Sequence, residues 1–245
     1  MNSVEKTLFR IGLVLPHRFR RLKIPIAYIR YYLQRLLVFR QGGRPVIIVA
    51  MPKSGSTWLE NIFMTFNNTL SIMPPACIVY EQVYGNSHQQ RFTKPILKWA
   101  KNKSVVIKLH SSYSSEFYKE VQDLNAIFIL LYRDVHEASA SHLSYVAKTP
   151  FHPEFSMVRN DKEGVQERFE TDMEKWLNSW QSNVPGELIV NYQEMLDNPV
   201  QTLSRIMRYY RIKGDIEGAI AYNTIEKMRD RSPHKKFYRG SKFKE

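Results

Sequence analysis

Lys53-Ser54-Gly55-Ser56-Thr57 gathers one ammonium, one glycine and three hydroxyls into five consecutive residues. That set suits an anion. Glycine takes backbone angles closed to other residues, so successive N–H groups can converge on one charged oxygen cluster. Lys53 adds a full positive charge, and Ser54, Ser56 and Thr57 add hydroxyl donors. A plain helix cap at Ser56 would not need this combination. Downstream, Val105-Val106-Ile107-Lys108-Leu109-His110 sets an ammonium and an imidazole two residues apart. In an extended segment they lie on one side, about 7 Å from each other. The chain has seven histidines, and one at a strand end serves as readily as an exposed or capped residue as it does as a base. Arg133, in Tyr132-Arg133-Asp134, carries a guanidinium that can fork onto two oxygens of one phosphate. Taken alone, Arg133 reads equally well as a surface residue and Asp134 as a helix cap.

These groups need elements that hold them in place. Val46-Ile47-Ile48-Val49-Ala50 is a continuous apolar run, read as a buried strand that leads straight into the glycine-bearing turn. The helix expected over 56–68 then presents its unpaired N–H groups and positive dipole end to the turn. Further apolar runs at 105–109 and 126–132 end at His110 and Arg133, and a fourth strand is expected at 187–191. Other helices are expected over 115–123, 135–147, 165–182, 199–210 and 215–223. Apolar strands separated by helices predict an α/β fold, a mostly parallel sheet flanked by helices on both faces. Residues 70–104 and 148–164, punctuated by Pro74-Pro75, Pro95, Pro150 and Pro153, read as loop-rich insertions beyond the strand ends.

The order within the loop excludes one phosphate-binding motif. A Walker A loop places its lysine after the second glycine. Here Lys53 precedes Gly55, and no Walker A match occurs anywhere in the chain. Pro52-Lys53-Ser54-Gly55-Ser56-Thr57-Trp58 instead resembles the 5′-phosphosulfate loop of the cytosolic-type sulfotransferases, P-K-[ST]-G-T-T-W, with Ser56 its one departure. The resemblance implies a P-loop-like sulfotransferase fold and the donor 3′-phosphoadenosine 5′-phosphosulfate (PAPS), with no required metal. It implies that the Trp58 indole lies against adenine, although Trp58 also suits the core of a first helical turn. Tyr132-Arg133-Asp134 with Ser141, eight residues after the arginine, is similar to the family's 3′-phosphate site. Lys108-Leu109-His110 occupies the place of its Lys-Thr-His triplet, which makes His110 the general base. Leu188-Ile189-Val190-Asn191-Tyr192-Gln193-Glu194-Met195 with Asn198-Pro199 looks like its strand–Tyr-Glu-Asp-Leu/Met block, so Tyr192 would reach the adenine. Asn223-Thr224-Ile225-Glu226-Lys227-Met228 resembles the Thr-Ser-Phe-Glu-x-Met segment, with Ile225 where phenylalanine is usual. Phe237-Tyr238-Arg239-Gly240 looks like a shortened Arg-Lys-Gly element, which in the family closes over the 3′-phosphate. The resemblance covers residues 45–240, the expected catalytic domain being 45–245.

The chemistry of sulfuryl transfer asks for these residue types. An acceptor hydroxyl or amine must lose its proton as it bonds to sulfur, and an imidazole with an ordinary pKa near 6.5 suits that task. Charge gathers on the oxygen leaving toward the 5′-phosphate, where Lys53 and the loop amides can stabilise it. Lys108 would hold the sulfuryl oxygens. Acceptor pockets in this architecture form beyond the strand ends. The aromatic residues there, Tyr80, Tyr84, Phe92, Trp99, Tyr113, Phe151 and Phe155, suggest an apolar acceptor, though each serves equally as core. Phenol, alcohol, lipid headgroup, sugar and amine all remain open.

A net charge of +13 suits an anionic ligand, and would equally suit nucleic acid or an acidic membrane surface. With 245 residues, 43% of them hydrophobic, the chain can form one α/β domain with a real core. Its one cysteine, Cys77, excludes an intrachain disulfide framework and a cysteine-rich zinc site, consistent with a reducing cytoplasmic setting. Residues 1–44 stand apart as a basic helical arm. Arg18, Arg20, Arg21, Lys23, Arg30, Arg35 and Arg40 alternate with apolar residues, and no uncharged run reaches the ~20 residues that span a bilayer. A secretory signal is not expected there, since no small-residue cleavage site follows a long enough apolar stretch. Peripheral membrane contact and docking on the catalytic domain with the arginines in solvent are both open readings. Two other functions compete with sulfotransfer. One is a P-loop kinase or nucleotidase, in which Ile127 to Leu131 leading to Asp134 mimics a Walker B strand. The other is a basic nucleic-acid or membrane-binding module without catalysis. The sulfotransferase reading takes a small-molecule or lipid acceptor and no nucleic acid.

Overall fold

The computed structural model describes residues 43–72, 94–149 and 152–231, together with 28, 29, 31–33 and 35. Five strands form one sheet: β1 Val46–Ala50, β2 Leu70–Ser71, β3 Val105–Leu109, β4 Ile127–Tyr132 and β5 Ile189–Asn191. Their order is β2-β3-β1-β4-β5, and every pairing is parallel. The central strand β1 is buried along its whole length, which is why it carries no polar residue. It is held in register on both sides: Val46 to Val49 lie opposite Val106 to Leu109, and Val46 to Ala50 opposite Ile127 to Leu131.

Among the described residues from 43 onward, ten α-helices accompany the strands. In chain order they are α1 Ser56–Phe66, α2 Lys94–Ala100, α3 Ser115–Asp123, α4 Val135–Ala147, α5 Phe155–Asn160, α6 Lys162–Gln181, α7 Tyr192–Asp197, α8 Pro199–Tyr209, α9 Ile216–Tyr222 and α10 Ile225–Arg231. Strand alternation sorts the core into two layers. Val46, Ile48 and Ala50 meet Leu59, Ile62 and Phe63 of α1, with Leu203, Ile206 and Met207 of α8 behind them. Ile47 and Val49 meet Phe117 of α3 and Phe169, Met173, Trp176 and Trp180 of α6. Helices therefore cover both faces, as the apolar runs predict.

The loop-rich reading of 70–104 and 148–164 needs correction, since β2, α2 and α5 lie inside those stretches. Prolines did not prevent the helices. Pro95 is the second residue of α2, where a missing N–H leaves no intrahelical bond unmade. Pro153 falls in the turn before α5. α6 begins three residues earlier than expected because the Asp161 carboxylate accepts the Gly164 N–H at 2.9 Å and caps it. The segment expected as strand at 187–191 opens instead with a 3₁₀ turn, Gly186–Leu188, leaving three residues of β5. Cys77, Tyr80, Tyr84, Phe92 and Phe151 lie outside the described residues.

An aromatic cluster underlies the end of β3. Trp180 is fully buried, with its ring centroid 5.2 Å from that of Tyr113 and 5.6 Å from that of Phe128. The indole N–H groups of Trp176 and Trp180 both donate to the Ser111 carbonyl, at 2.8 and 3.0 Å. Two long α6 side chains thus fix the backbone one residue beyond His110. Trp180→Ala should cost about 3–5 kcal/mol, because it opens a large cavity and removes one of those bonds. Trp180→Phe should recover much of the packing without the bond. Urea unfolding midpoints would check both, and equal midpoints for parent and Trp180→Ala would refute the assignment.

Candidate functional site

Three neighbouring strands end at the same height, so the turns after β1, β3 and β4 open side by side. In the first turn Lys53 and Gly55 both hold left-handed φ values, 65° and 80°. Gly55 tolerates this without a Cβ penalty. It also lacks room for one, since a Cβ there would lie 2.4 Å from the Tyr192 ring. Ser54 is fully buried, and its hydroxyl donates to the Met51 carbonyl at 2.6 Å. Its proton therefore closes the turn, a role different from the expected donation to an anion. Ser56 is buried at the start of α1, while Thr57 is exposed. No acidic residue occupies the first turn of α1, so no carboxylate there offsets the helix's positive end. The Lys53 ammonium lies 4.2 Å from the centroid of the Tyr145 ring, on α4.

Alternation along β3 carries Lys108 to the α1 side. Its Nζ lies 3.0 Å from Glu60 Oε2 and 3.4 Å from Thr57 Oγ1. The other Glu60 oxygen accepts from the Ser71 hydroxyl. This carboxylate went unnoticed in the sequence, where a glutamate on a helix reads as solvated. Its signal was its place three residues after Thr57, one helical turn along the same face. His110 stands one residue past β3, buried, with Nδ1 2.7 Å from the Ala50 carbonyl oxygen. A carbonyl only accepts, so in the neutral ring Nδ1 carries the proton and Nε2 keeps the lone pair.

Arg133 follows β4. Its Nε donates to Glu137 Oε2 at 2.9 Å, Nη1 lies 3.5 Å from the Lys53 carbonyl, and the guanidinium sits 4.7 Å from the Tyr192 ring centroid. Gly55, Tyr192 and Arg133 therefore pack in sequence. Burial pushes the Tyr192 hydroxyl above its ordinary pKa, with the Arg133 charge opposing. Asp134 Oδ1 accepts the Glu137 N–H at 3.0 Å and caps α4, the plainer of its two readings. Ser141 lies farther along α4, half-buried.

The Trp58 indole N–H donates to the Asn223 carbonyl at 2.8 Å. The buried Asn223 amide in turn donates to Thr65 Oγ1, 2.8 Å, and to the Ala219 carbonyl, 2.9 Å. Trp58 and the segment holding Thr224 are thus joined, and the Thr224 hydroxyl accepts the Lys227 N–H at 3.4 Å. Arg239 and Gly240 lie outside the described residues.

A second polar cluster adjoins Tyr145. His142 Nε2 lies 2.7 Å from Glu154 Oε2, with its ring stacked on Phe169 at 4.6 Å. His152 approaches Tyr145 edge-on, ring centroids 5.7 Å apart, and its Nδ1 accepts the Glu154 N–H at 3.2 Å. Burial pushes the His152 imidazole down from 6.5 to about 4; the Glu154 charge opposes this, and His142 and Lys53 reinforce it. Burial works against the charge on Glu154, yet the hydrogen bond to His142 and the adjacent imidazoles outweigh it and lower its pKa. Among the described residues, no group of three or more His, Cys, Asp or Glu could hold a metal ion.

Comparison with known proteins gives two findings. Residues 44–244 match the family described as the sulfotransferase domain. The fold matches a mouse sulfotransferase, SULT7A1, solved in complex with PAP, with a TM-score of 0.50 and 16% identity over 78% of this chain and 68% of that one. At that identity the likeness speaks to the fold. No curated protein matches the sequence.

Two outcomes are expected from this geometry. Gly55→Ala should destabilise by about 2–4 kcal/mol, combining left-handed strain with the clash against Tyr192. In a Tyr192→Ala background the same change should cost only about 1–2 kcal/mol, the strain alone. Urea midpoints of the four proteins would test this, and an undiminished cost would remove the steric part. The second outcome concerns acid. Between pH 6.5 and about 4 the unfolded chain protonates His152 while the folded chain keeps it neutral. Stability therefore falls as pH falls through that window, by up to about 3 kcal/mol from this group. His152→Gln should lose correspondingly less between about pH 7 and pH 4.5. A variant that declined as steeply as the parent would show that another group is responsible.

Proposed function

The chain belongs to the sulfotransferase family, and on that premise we propose that it moves a sulfuryl group from PAPS to a hydroxyl or amine of a small-molecule or lipid acceptor, with His110 as general base. The observation that carries this reading is the hydrogen bond from His110 Nδ1 to the Ala50 carbonyl, which makes Nε2 the basic nitrogen of the neutral ring. Lys53 and Arg133 follow β1 and β4, and Lys108, between them in the chain, is the next-to-last residue of β3, so anionic groups find positive charge at more than one of three adjacent parallel strands. The bound donor supplies the sulfuryl group, and adenosine 3′,5′-bisphosphate is what remains of it after transfer.

Lys53 and Gly55 to Thr57 hold the 5′ end in this assignment, Ser54 contributes by closing their turn, and Arg133 and Ser141 hold the 3′-phosphate. Trp58, Tyr192 and Thr224 border the adenine. That Trp58 is tied to Asn223 and Tyr192 packs between Gly55 and Arg133 supports it. Arg239 and Gly240 are assigned to the donor as well, on the family resemblance of their segment. His110 Nε2 takes the acceptor proton as the acceptor oxygen or nitrogen bonds to sulfur and the bridging S–O bond breaks. Lys53 and the loop amides stabilise the charge released toward the 5′-phosphate, and Lys108 the sulfuryl oxygens. No covalent enzyme intermediate and no metal are needed. Residues 45–245 form the catalytic domain, working in the cytoplasm, and 1–44 an accessory arm. The kinase reading loses its Walker B analogue, because the Asp134 carboxylate is engaged in capping α4.

His110→Ala should lower kcat by about 10²–10⁴-fold while binding of adenosine 3′,5′-bisphosphate, read by calorimetry, changes less than about twofold. Retention of most of the rate would overturn the base assignment. ATP should bind far more weakly than the bisphosphate. Magnesium-dependent ATP turnover without bisphosphate binding would instead establish a kinase.

A further inference from the structure

We propose that the outward face of the helical segment at residues 28–35 seats this protein on an anionic lipid surface, with Tyr28, Ile29 and Tyr32 as the groups that enter the interface. The segment is docked on the domain by a different side. Tyr31 is buried in the core layer that holds Ile96, Leu97 and Ala100 of α2. The Arg35 guanidinium lies 5.4 Å from the Tyr31 ring centroid and 5.1 Å from that of Trp99, so Arg35 is spent on this contact and does not stand free in solvent. Among the described residues of the segment, Tyr28, Ile29 and Tyr32 are 48%, 51% and 55% exposed. Tyr28 and Tyr32 are four residues apart and Ile29 and Tyr32 three, so on a helix they form one continuous patch.

The charge of the arm says what covers this patch. Residues 1–44 contain ten of the 36 lysines and arginines but only one of the 23 acidic residues, which places nine of the thirteen net positive charges there. An exposed aromatic and aliphatic face set among arginines and lysines is the composition of a helix lying in a lipid headgroup layer. Tyrosine suits that depth, its ring apolar and its hydroxyl wet. A second copy of this chain would bring the same nine charges against the first and repel it. Nucleic acid would satisfy the charges but would leave Ile29 without a partner. No uncharged run in residues 1–44 reaches the ~20 residues that span a bilayer, so the contact proposed is with the bilayer surface.

The test uses the full chain and vesicles of phosphatidylcholine alone, or with about one-third phosphatidylserine, in a sedimentation assay. The parent should sediment with the anionic vesicles, hardly at all with the neutral ones, and less as salt rises from about 0.1 M to 0.5 M. The triple variant Tyr28→Ser, Ile29→Ser, Tyr32→Ser should bind the anionic vesicles at least roughly tenfold more weakly with its urea midpoint unchanged. If the triple variant does not fold, single Tyr28→Ser and Tyr32→Ser variants at these exposed positions carry the same test with roughly threefold losses. The proposal is overturned by full binding of the variants, by equal binding to neutral vesicles, or by light scattering that shows a dimer dependent on these residues. Release of the parent from vesicles by a single-stranded oligonucleotide, at concentrations below those of the lipid, would also overturn it. Urea midpoints report folding without reference to the sulfotransfer reading, so either proposal can fail alone.

Discussion

The site depends on one constraint: β1 is paired in register on both sides, and its two ladders stop at different points. Toward β4 the pairing runs to Ala50 opposite Leu131 and is extended by the Met51 N–H donating to the Leu131 carbonyl at 2.8 Å. Toward β3 it stops at Val49 opposite Leu109. The Ala50 carbonyl is then a buried acceptor with no strand partner at that edge, and such groups are nearly always satisfied. The His110 ring satisfies it. A side chain thus takes the place of the next rung of the ladder, and the same bond selects the imidazole tautomer. The clamp on the Ser111 carbonyl from two indoles acts on the adjacent peptide, so the ring is held from the sheet and its backbone from α6.

Charge near these strand ends is arranged at a cost. Lys108 and Glu60 form their ion pair with both side chains only 12% exposed. Taking two such charges out of water offsets most of what their attraction returns, so the pair adds little to stability. Its effect is positional. Glu60 comes from α1, Lys108 from β3, and the Ser71 hydroxyl from the edge strand β2, so three elements fix one ammonium. Arg133 is held differently, by Glu137 one helical turn along and by the face of Tyr192. That face is also what leaves no space for a side chain at residue 55. The glycine therefore answers two demands at once, a left-handed backbone and a neighbouring ring in contact.

Much of this was legible because buried parallel strands leave a strong trace. The runs at 46–50 and 105–109 end where the strands end, and the run at 126–132 differs from β4 by one residue. Lys53, His110 and Arg133 could be placed together for the same reason, since each directly follows or closely follows a strand end. Short elements left no comparable trace. β2 has two residues and takes its strand character from pairing with Val105 and Val106, a tertiary effect with no local period. α2 and α5 sit among prolines, which are breakers only inside a helix and not at its first turn or before it. Polar contacts were less legible still. Ser54 looked like a donor to an outside anion, yet the turn itself consumes its proton. The His142, His152 and Glu154 cluster joins a helix to a later loop, and nothing in its spacing announces which residues of the loop turn inward.

Residues 1–44 carry an unequal share of the positive charge, and two of them, Tyr31 and Arg35, pack against later elements of the chain. Tyr31 enters a core layer that also holds Val105, Ile107 and Leu109 of β3, the strand that leads to His110. Arg35 covers Trp99 at the end of α2, and Lys103 approaches the same ring from the turn before β3, 5.1 Å from its centroid. Tyr31 and Arg35 are therefore seated on elements continuous with the strand that leads to His110. A lipid-facing patch on such an arm would set the distance of the strand ends from the bilayer through packed side chains and not through a loose tether. With the proposed base and the proposed lipid contact, that geometry would favour an acceptor whose reactive hydroxyl or amine lies at the headgroup level, because docking would then bring acceptor and base together without an additional ordering step.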